Sequence, residues 1–321
     1  MFTENSKPVQ NNQKYQYVFT VFTPTYNRRH TLHRVYESLK AQTYRDFEWL
    51  IVDDGSTDNT CELVEQWQQE NLFPIRYIYQ ENAHLHIAFN RGVGEAQGKL
   101  FIKLDSDDSC EPQALDRFKY HWDAIPLDQK EKFSAVTCLC KDRDGKIIGS
   151  LFPFNPTDSD SLEIRYRFKV KGEKWGFHRT DVLRQFPHHV EEIIGFYIPE
   201  SVLWNKIAKK YKTRYVNEAL RTYWTDQPSI MRNSQHPKKR AVGGEIYYSN
   251  VLNEETEWFR FAPLIFLRSG VLYSRYSLHL GTKISQQIVN IKTPIGKILW
   301  LIALPVGYLV YLKDNYANKN V

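Results

Sequence analysis

The chain of 321 residues holds only four cysteines, Cys61, Cys110, Cys138 and Cys140, and none of their spacings forms a C-x-x-C redox pair or a zinc ribbon. They are read as free, buried thiols rather than as metal ligands or crosslinks. Glycine-rich phosphate cradles are missing as well. Neither G-x-G-x-x-G nor G-x-x-x-x-G-K-[ST] occurs, which excludes a dinucleotide fingerprint and a P-loop, so any phosphates must be neutralised mainly by a metal ion. No apolar stretch is long enough for an easy membrane crossing. The longest, fifteen apolar or small residues from Ile298 to Leu312, would make a helix ~22 Å long against a hydrocarbon core of ~30 Å. Pro305 and Gly307 weaken it further, and it lies between Lys297 and Lys313. The opening residues M-F-T-E-N-S-K-P-V-Q-N-N-Q-K are polar and lack the apolar core of a signal peptide. Residues 1–16 are accordingly expected to be a disordered leader and the body to stay in the cytoplasm.

Excess charge is absent from most of the chain. The formal net charge is +6, but from His236 onward eleven Lys and Arg face five Asp and Glu, so the final 86 residues carry the whole surplus. A neutral body offers nucleic acid no groove; a basic tail points to an anionic partner at the C-terminus. Hydrophobic content of 42% and charged content of 25% are globular values, and the length suits one large core with a smaller second module.

What the chain does contain is strand–helix alternation. Y-V-F-T-V-F-T from Tyr17 reads as a buried strand stopped by Pro24, and Leu32, Val35, Tyr36 and Leu39 recur at helical spacing over 31–41. F-E-W-L-I-V runs into D-D-G-S-T-D-N-T, a helix starts near Asp58, and I-R-Y-I-Y precedes a helix across His86 to Gln97 that Gly98 stops. A fourth strand, L-F-I-K-L, ends in D-S-D-D-S. The pattern predicts an α/β fold whose mostly parallel sheet is covered on both faces, with ligands bound outside the carboxyl ends of its strands. Three polar strand ends, Thr23–Arg28, Asp53–Ser56 and Asp105–Asp108, should converge on one crevice. Alternation along an extended chain puts Asp105 and Asp107 on one side, close enough to share a cation or its bound ligand. Such oxygen ligands suit Mg2+ or Mn2+ with a phosphate-bearing substrate. The bland alternative is a solvated turn, which Asp, Ser and the helix start at Glu111-Pro112 would also produce.

Four blocks stand in order along this alternation: T-P-T-Y-N-R at 23–28, V-D-D-G-S-T-D at 52–58, N-R-G at 90–92 and L-D-S-D-D at 104–108. Together, over about residues 17–112, the chain resembles the inverting family 2 glycosyltransferases of GT-A fold that build bacterial surface polysaccharides. The resemblance implies a nucleotide-sugar donor, preferentially a UDP-sugar, and a Mn2+ or Mg2+ ion. It implies a nucleotide-sugar half at 17–112, an acceptor half at 113–235 and a basic, helical, membrane-associating extension at 236–321. Asp54 would accept the uracil N–H, while Thr23, Pro24, Tyr26 and Arg28 wall the base and Asn90 lies beside the donor. Asp105 would hold the ribose or a metal-bound water, and Asp107 would ligate the metal bridging the diphosphate. Asp53 is read as a brace of its turn.

The second half is less regular. S-A-V-T-C-L-C is a strand, K-D-R-D-G-K-I-I-G a hairpin, and G-E-K-W-G-F-H-R-T-D-V-L resembles the family's acceptor-side segment, with His178 read as structural. Glu200 opens a helix, where a carboxylate can be no more than a favourable dipole charge. The resemblance makes it the catalytic base, and Ser201 stands where a second acid often follows, leaving Glu200 alone. Arg221 and Tyr223 resemble an R-x-Y segment at the donor site. The expected reaction is inverting transfer of a sugar to a hydroxyl of a glycan or lipid-linked glycan, at the cytoplasmic face of the plasma membrane. Attachment is expected to be peripheral, through a helix over about Pro294 to Leu312 on an anionic surface; a homo-oligomer is left open. A D-x-D phosphotransferase would carry its nucleophile on the first strand, not the fourth. A non-catalytic, membrane-bound sugar-binding protein on a degenerate transferase fold fits poorly with three intact acidic strand ends.

Overall fold

A computed structural model describes residues 15–188, 196–226 and 237–317. The expected leader therefore lies outside the described residues except for Tyr15 and Gln16. The first half builds β1 (Tyr17–Thr25), α1 (Arg29–Lys40), β2 (Phe47–Asp53), α2 (Thr60–Glu70), β3 (Ile75–Tyr79), α3 (Leu85–Glu95) and β4 (Gly98–Lys103). The second supplies β5 (Ser109–Cys110), α4 (Ala114–Asp123), β6 (Phe133–Lys141), β7 (Thr157–Ser159), α5 (Ser161–Tyr166), β8 (Lys174–Arg179), α6 (Thr180–Gln185), α7 (Ser201–Ala208) and β9 (Lys212–Thr222). All nine strands join one sheet in the order β3-β2-β1-β4-β8-β6-β9-β5, with β7 on β9. Pairings among β1, β2, β3 and β4 are parallel, as is β6 on β9, whereas β8 runs antiparallel between β4 and β6.

Both faces are covered because strand residues alternate between two sets of helices. On one face Phe19, Trp49 and Ile102 pack with Leu32 and Val35 of α1, Trp67 of α2 and Phe118 of α4. On the other, Phe22, Leu50 and Phe101 pack with Phe89 of α3, Leu183 of α6 and Leu203 of α7. The first core reaches from Phe19 to Leu220, so the two expected halves share one interior. Three of the cysteines are buried as expected, but Cys61 is exposed, since α2 turns that side of its first turn to solvent.

The C-terminal stretch forms a helical module of α8 (Ala241–Glu254), α9 (Pro263–His279), α10 (Ile284–Asn290) and α11 (Pro294–Ala317). Phe266, Tyr273, Leu299 and Trp300 make a core that takes in Leu162 and Tyr166 of α5. Fully buried Glu255 pins the module: its carboxyl accepts from Tyr166 Oη, from Asn205 Nδ2 at 2.9 Å and from Asn250 Nδ2 at 2.9 Å.

The last helix corrects the sequence reading in two respects. It runs for 24 residues with Pro305 inside it, and by length and composition it is long and apolar enough to cross a membrane. Gly307 does not weaken it but lets α9 approach: a Cβ there would lie 2.7 Å from Ser274 Cβ and 2.8 Å from the Val271 carbonyl. Periodicity cannot reveal such a crossing, because it depends on where the partner helix lies.

Glu255→Ala would leave three buried donors without an acceptor, at ~1–3 kcal/mol for an unsatisfied group. The variant is expected to melt several degrees below wild type by calorimetry. An unchanged melting temperature would mean that the module is not held through Glu255.

Candidate active site

The parallel strands deliver their polar ends to one edge, and hydrogen bonds between the ends fix the crevice. Asn27, in a left-handed conformation (φ 52°), donates its N–H to Ser56 Oγ at 2.8 Å and accepts from the Thr57 N–H at 2.8 Å. Gly55 takes φ 89° at the sharp point of D-D-G-S, with Asn82 so close that a side chain would not fit. Asp53 braces this turn, accepting from the Ser56 N–H at 2.7 Å and Tyr77 Oη at 2.6 Å. Asp54 is only 6% exposed and is heavily used: it accepts from Gln80 Nε2 at 2.7 Å and from the Ala83 and His84 N–H groups at 2.9 Å each. It thereby ties the loop before α3 to the end of β2.

The acidic end of β4 departs from simple alternation. The chain turns after Leu104, with the Asp108 N–H donating to the Asp105 carbonyl at 3.1 Å, so Asp105 and Asp107 do not continue a strand. Asp105 and Asp108 instead converge on Arg221 of β9. Arg221 Nη2 donates to Asp105 Oδ2 at 2.7 Å, Nε donates to Asp108 Oδ2 at 2.8 Å, and the Trp224 N–H donates to Asp108 Oδ1 at 2.9 Å. The buried guanidinium lies well above its ordinary pKa, because Asp105 and Asp108 outweigh the effect of burial. Burial would raise Asp105, but Lys103 and Arg221 hold it down to about 2. Asp107 stands apart and half-buried, raised by burial and by Asp105, with no side-chain hydrogen-bond partner among the described residues.

Glu200 reaches the same cluster from α7. Lys103 Nζ donates to Glu200 Oε1 at 2.6 Å and lies 2.8 Å from Asp105 Oδ1, joining residues 95 positions apart in sequence. A cavity of about 260 Å³ opens here, lined by Lys103, Asp105, Arg221 and Glu200 together with Trp175 and Trp204. His178 stacks flat on Trp204, ring centroids 4.4 Å apart, and burial lowers its pKa to about 3. It is a neutral wall of the cavity.

Other expected donor residues are spread more widely. Tyr26 is 50% exposed at the rim, Pro24 and Arg28 are half-buried, and Arg28 is near enough to Asp107 to draw its pKa down. Thr23 is fully buried, its hydroxyl accepting from Trp49 Nε1 at 2.9 Å, so its side chain does not face the crevice. Asn90 brackets the backbone of His188, accepting from its N–H at 2.8 Å and donating to its carbonyl at 3.2 Å. Sequence reading missed Lys103 and both tryptophans. The available signal was a lysine inside the apolar run L-F-I-K-L, directly before the acids.

Among the described residues no group of three or more His, Cys, Asp or Glu side chains could hold a metal ion by itself. Asp107 nevertheless fits a hard cation that takes one or two carboxylates and completes its shell with phosphate oxygens and water. Removing Arg221 would strand two acids that it pairs. Arg221→Met is expected to destabilise the fold by ~3–5 kcal/mol, the usual effect of breaking a buried pair. A denaturant midpoint within experimental error of wild type would overturn this role.

Residues 20–129 match the family model described as glycosyl transferase family 2. An uncharacterized glycosyltransferase of Nostoc sp. is 40% identical over 98 residues, 30% of this chain and 30% of that protein. The uncharacterized glycosyltransferase YibD of Escherichia coli is 25% identical over 231 residues, 66% of this chain, so the match spans under two thirds of either relative, 30% and 63% of their lengths. The GalNAc(5)-diNAcBac-PP-undecaprenol beta-1,3-glucosyltransferase of Campylobacter jejuni is 24% identical over 242 residues, 74% of each chain. Among solved structures, S. aureus TarS 1-349 in complex with UDP matches with TM-score 0.60 at 16% identity, over 94% of this chain and 91% of that one. Mannosyltransferase PcManGT from Pyrobaculum calidifontis, in complex with GDP-Man and Mn2+, matches with TM-score 0.54 at 17% identity, over 95% and 87%. At such identities the structural likeness is one of fold. With these motifs at neighbouring strand ends of the sheet, residues 20–129, about a third of the chain, match a glycosyl transferase family 2 domain.

Proposed function

We propose that the protein is a metal-dependent, inverting glycosyltransferase that moves a sugar from a nucleoside-diphosphate sugar, preferentially a UDP-sugar, to a hydroxyl of a glycan or lipid-linked glycan. The observation that carries this reading is the meeting of Glu200 with Asp105 across Lys103 in the lining of one cavity, two residues before Asp107 in the chain. Tyr26 and Arg28, which follow β1, would wall the base. Asp54 keeps acceptor capacity toward an N–H through lone pairs beyond those used by its loop. Asp107 is the side chain that would hold Mn2+ or Mg2+, and such an ion supplies neutralisation of charge on the departing diphosphate. Glu200 takes the proton of the acceptor hydroxyl as that oxygen attacks the anomeric carbon. The nucleoside diphosphate leaves from the opposite side, so a single displacement inverts the centre and needs no covalent intermediate on the protein.

The proposed site of action is a membrane surface, on its cytoplasmic face; the helical module supports the membrane attachment. Along α11, Leu299, Trp300 and Ala303 are buried while Ile298, Leu301, Ile302, Val306, Leu309 and Leu312 are exposed, with Lys297 and Lys313 flanking the stripe. Arg275 Nε and Nη2 donate to Asp314 at 2.6 and 2.9 Å, and His279 Nε2 lies 2.9 Å from it, so the end of α11 is tied to α9. A helix held along one side by charged groups suits the interface better than a lipid-surrounded crossing. Basic residues near an anionic leaflet add ~1 kcal/mol each.

A panel of nucleotide sugars with Mn2+, read as nucleoside diphosphate release, tests the reaction, and chelation should abolish release. Asp107→Ala should lose metal-dependent donor binding by calorimetry; binding of wild-type strength would rule out its role. Glu200→Gln should bind donor normally and lose roughly 10²–10⁴ in rate. For the membrane, Ile302→Glu combined with Leu309→Glu alters side chains that are 62% and 64% exposed. The double variant should keep its melting temperature and stop sedimenting with phosphatidylglycerol vesicles at low salt. Sedimentation equal to wild type would exclude α11 as the attachment face.

A further inference from the structure

Lys103 has no part in the reaction as described, yet among the described residues it touches both the base and a donor-side acid. It follows Phe101 by two on β4 and so projects toward α7, and its own carbonyl is held by Trp175 Nε1 at 2.6 Å. An ammonium has three protons to give. Glu200 Oε1 at 2.6 Å and Asp105 Oδ1 at 2.8 Å account for two of the contacts open to it. The charges then alternate without a break through Glu200, Lys103, Asp105, Arg221 and Asp108. Glu200 Oε2 has no hydrogen-bond partner among the described residues, which leaves it as the oxygen able to take a proton.

We propose that Lys103 is a positioning residue: it fixes the Glu200 carboxylate against Asp105 so that Oε2 faces the acceptor hydroxyl at the cavity mouth. The inference rests on Glu200 being the base. Without the ammonium, two carboxylates would face each other across the gap that it spans, and α7 would carry Glu200 away from the cluster. Misplacement of about 1 Å in a reacting group can cost ~10² in rate.

The test uses the full chain with Mn2+ and reads UDP release from the most active UDP-sugar. Lys103→Met should lower kcat by ~10² while the donor KM stays within about threefold, because Arg221 still holds Asp105 on the donor side. Lys103→Arg, which keeps the charge, should recover part of the loss. Combining Lys103→Met with Glu200→Gln should add less than about threefold to the loss of Glu200→Gln alone, since residues acting as a unit are not additive. A wild-type kcat in Lys103→Met, or losses that multiply in the double variant, would overturn the proposal. If the Met variant does not melt cooperatively, Lys103→Gln is judged by the same two criteria. Wild-type turnover in Glu200→Gln would instead refute the base assignment, and no release from any donor by wild-type protein would refute the transferase reading itself.

Discussion

The structure depends on one constraint: three aspartates and a glutamate are gathered at a strand end in a largely buried place, and positive charge must be gathered with them. Arg221 meets that need for Asp105 and Asp108, and Lys103 for Asp105 and Glu200. Neither cation can lose its proton there, because the acids hold both above their ordinary pKa values against the effect of burial. The cluster is therefore a fixed charge pattern, in which Asp107 has no cationic hydrogen-bond partner among the described residues.

That pattern also explains why the sheet continues past β4. Arg221 sits on β9, which pairs with β5 directly after the acidic turn and with β6 in parallel, while β8 closes the gap between β4 and β6. The added strands bring Arg221, Glu173 and Trp175 to a crevice that the first four could only half enclose. A parallel sheet ending at β4 would leave Asp108 without its arginine and Asp105 with Lys103 alone.

Much of this was legible in the sequence, for local reasons. Apolar runs and helical periodicity gave the order of elements from β1 to β4, and acids at strand ends gave the crevice, since both signals lie within a few residues. What stayed hidden was relational. Asp105 and Asp107 were assigned a shared side by alternation, which holds only while the chain is extended, and the turn after Leu104 replaces it with a sharing of Arg221 by Asp105 and Asp108. Thr23 sits in a motif that reads as a base wall, but full pairing of β1 with β2 directs its hydroxyl to Trp49 inside the core. Gly307 read as a weak point of a helix because the Val271 carbonyl that needs the space lies 36 residues away in sequence.

The eight residues of α7 connect these two levels of organisation. At its start Glu200 is tied to Lys103, and about one turn later Asn205 Nδ2 donates to Glu255 of the helical module while Asn205 Oδ1 accepts from Ser161 Oγ at 3.2 Å. A helix this short, ~12 Å from end to end, does not bend appreciably under such loads. Its start and its middle are thus anchored on different partners: Glu200 meets Lys103 at the cavity, and Asn205 meets the buried Glu255 that docks the C-terminal helices.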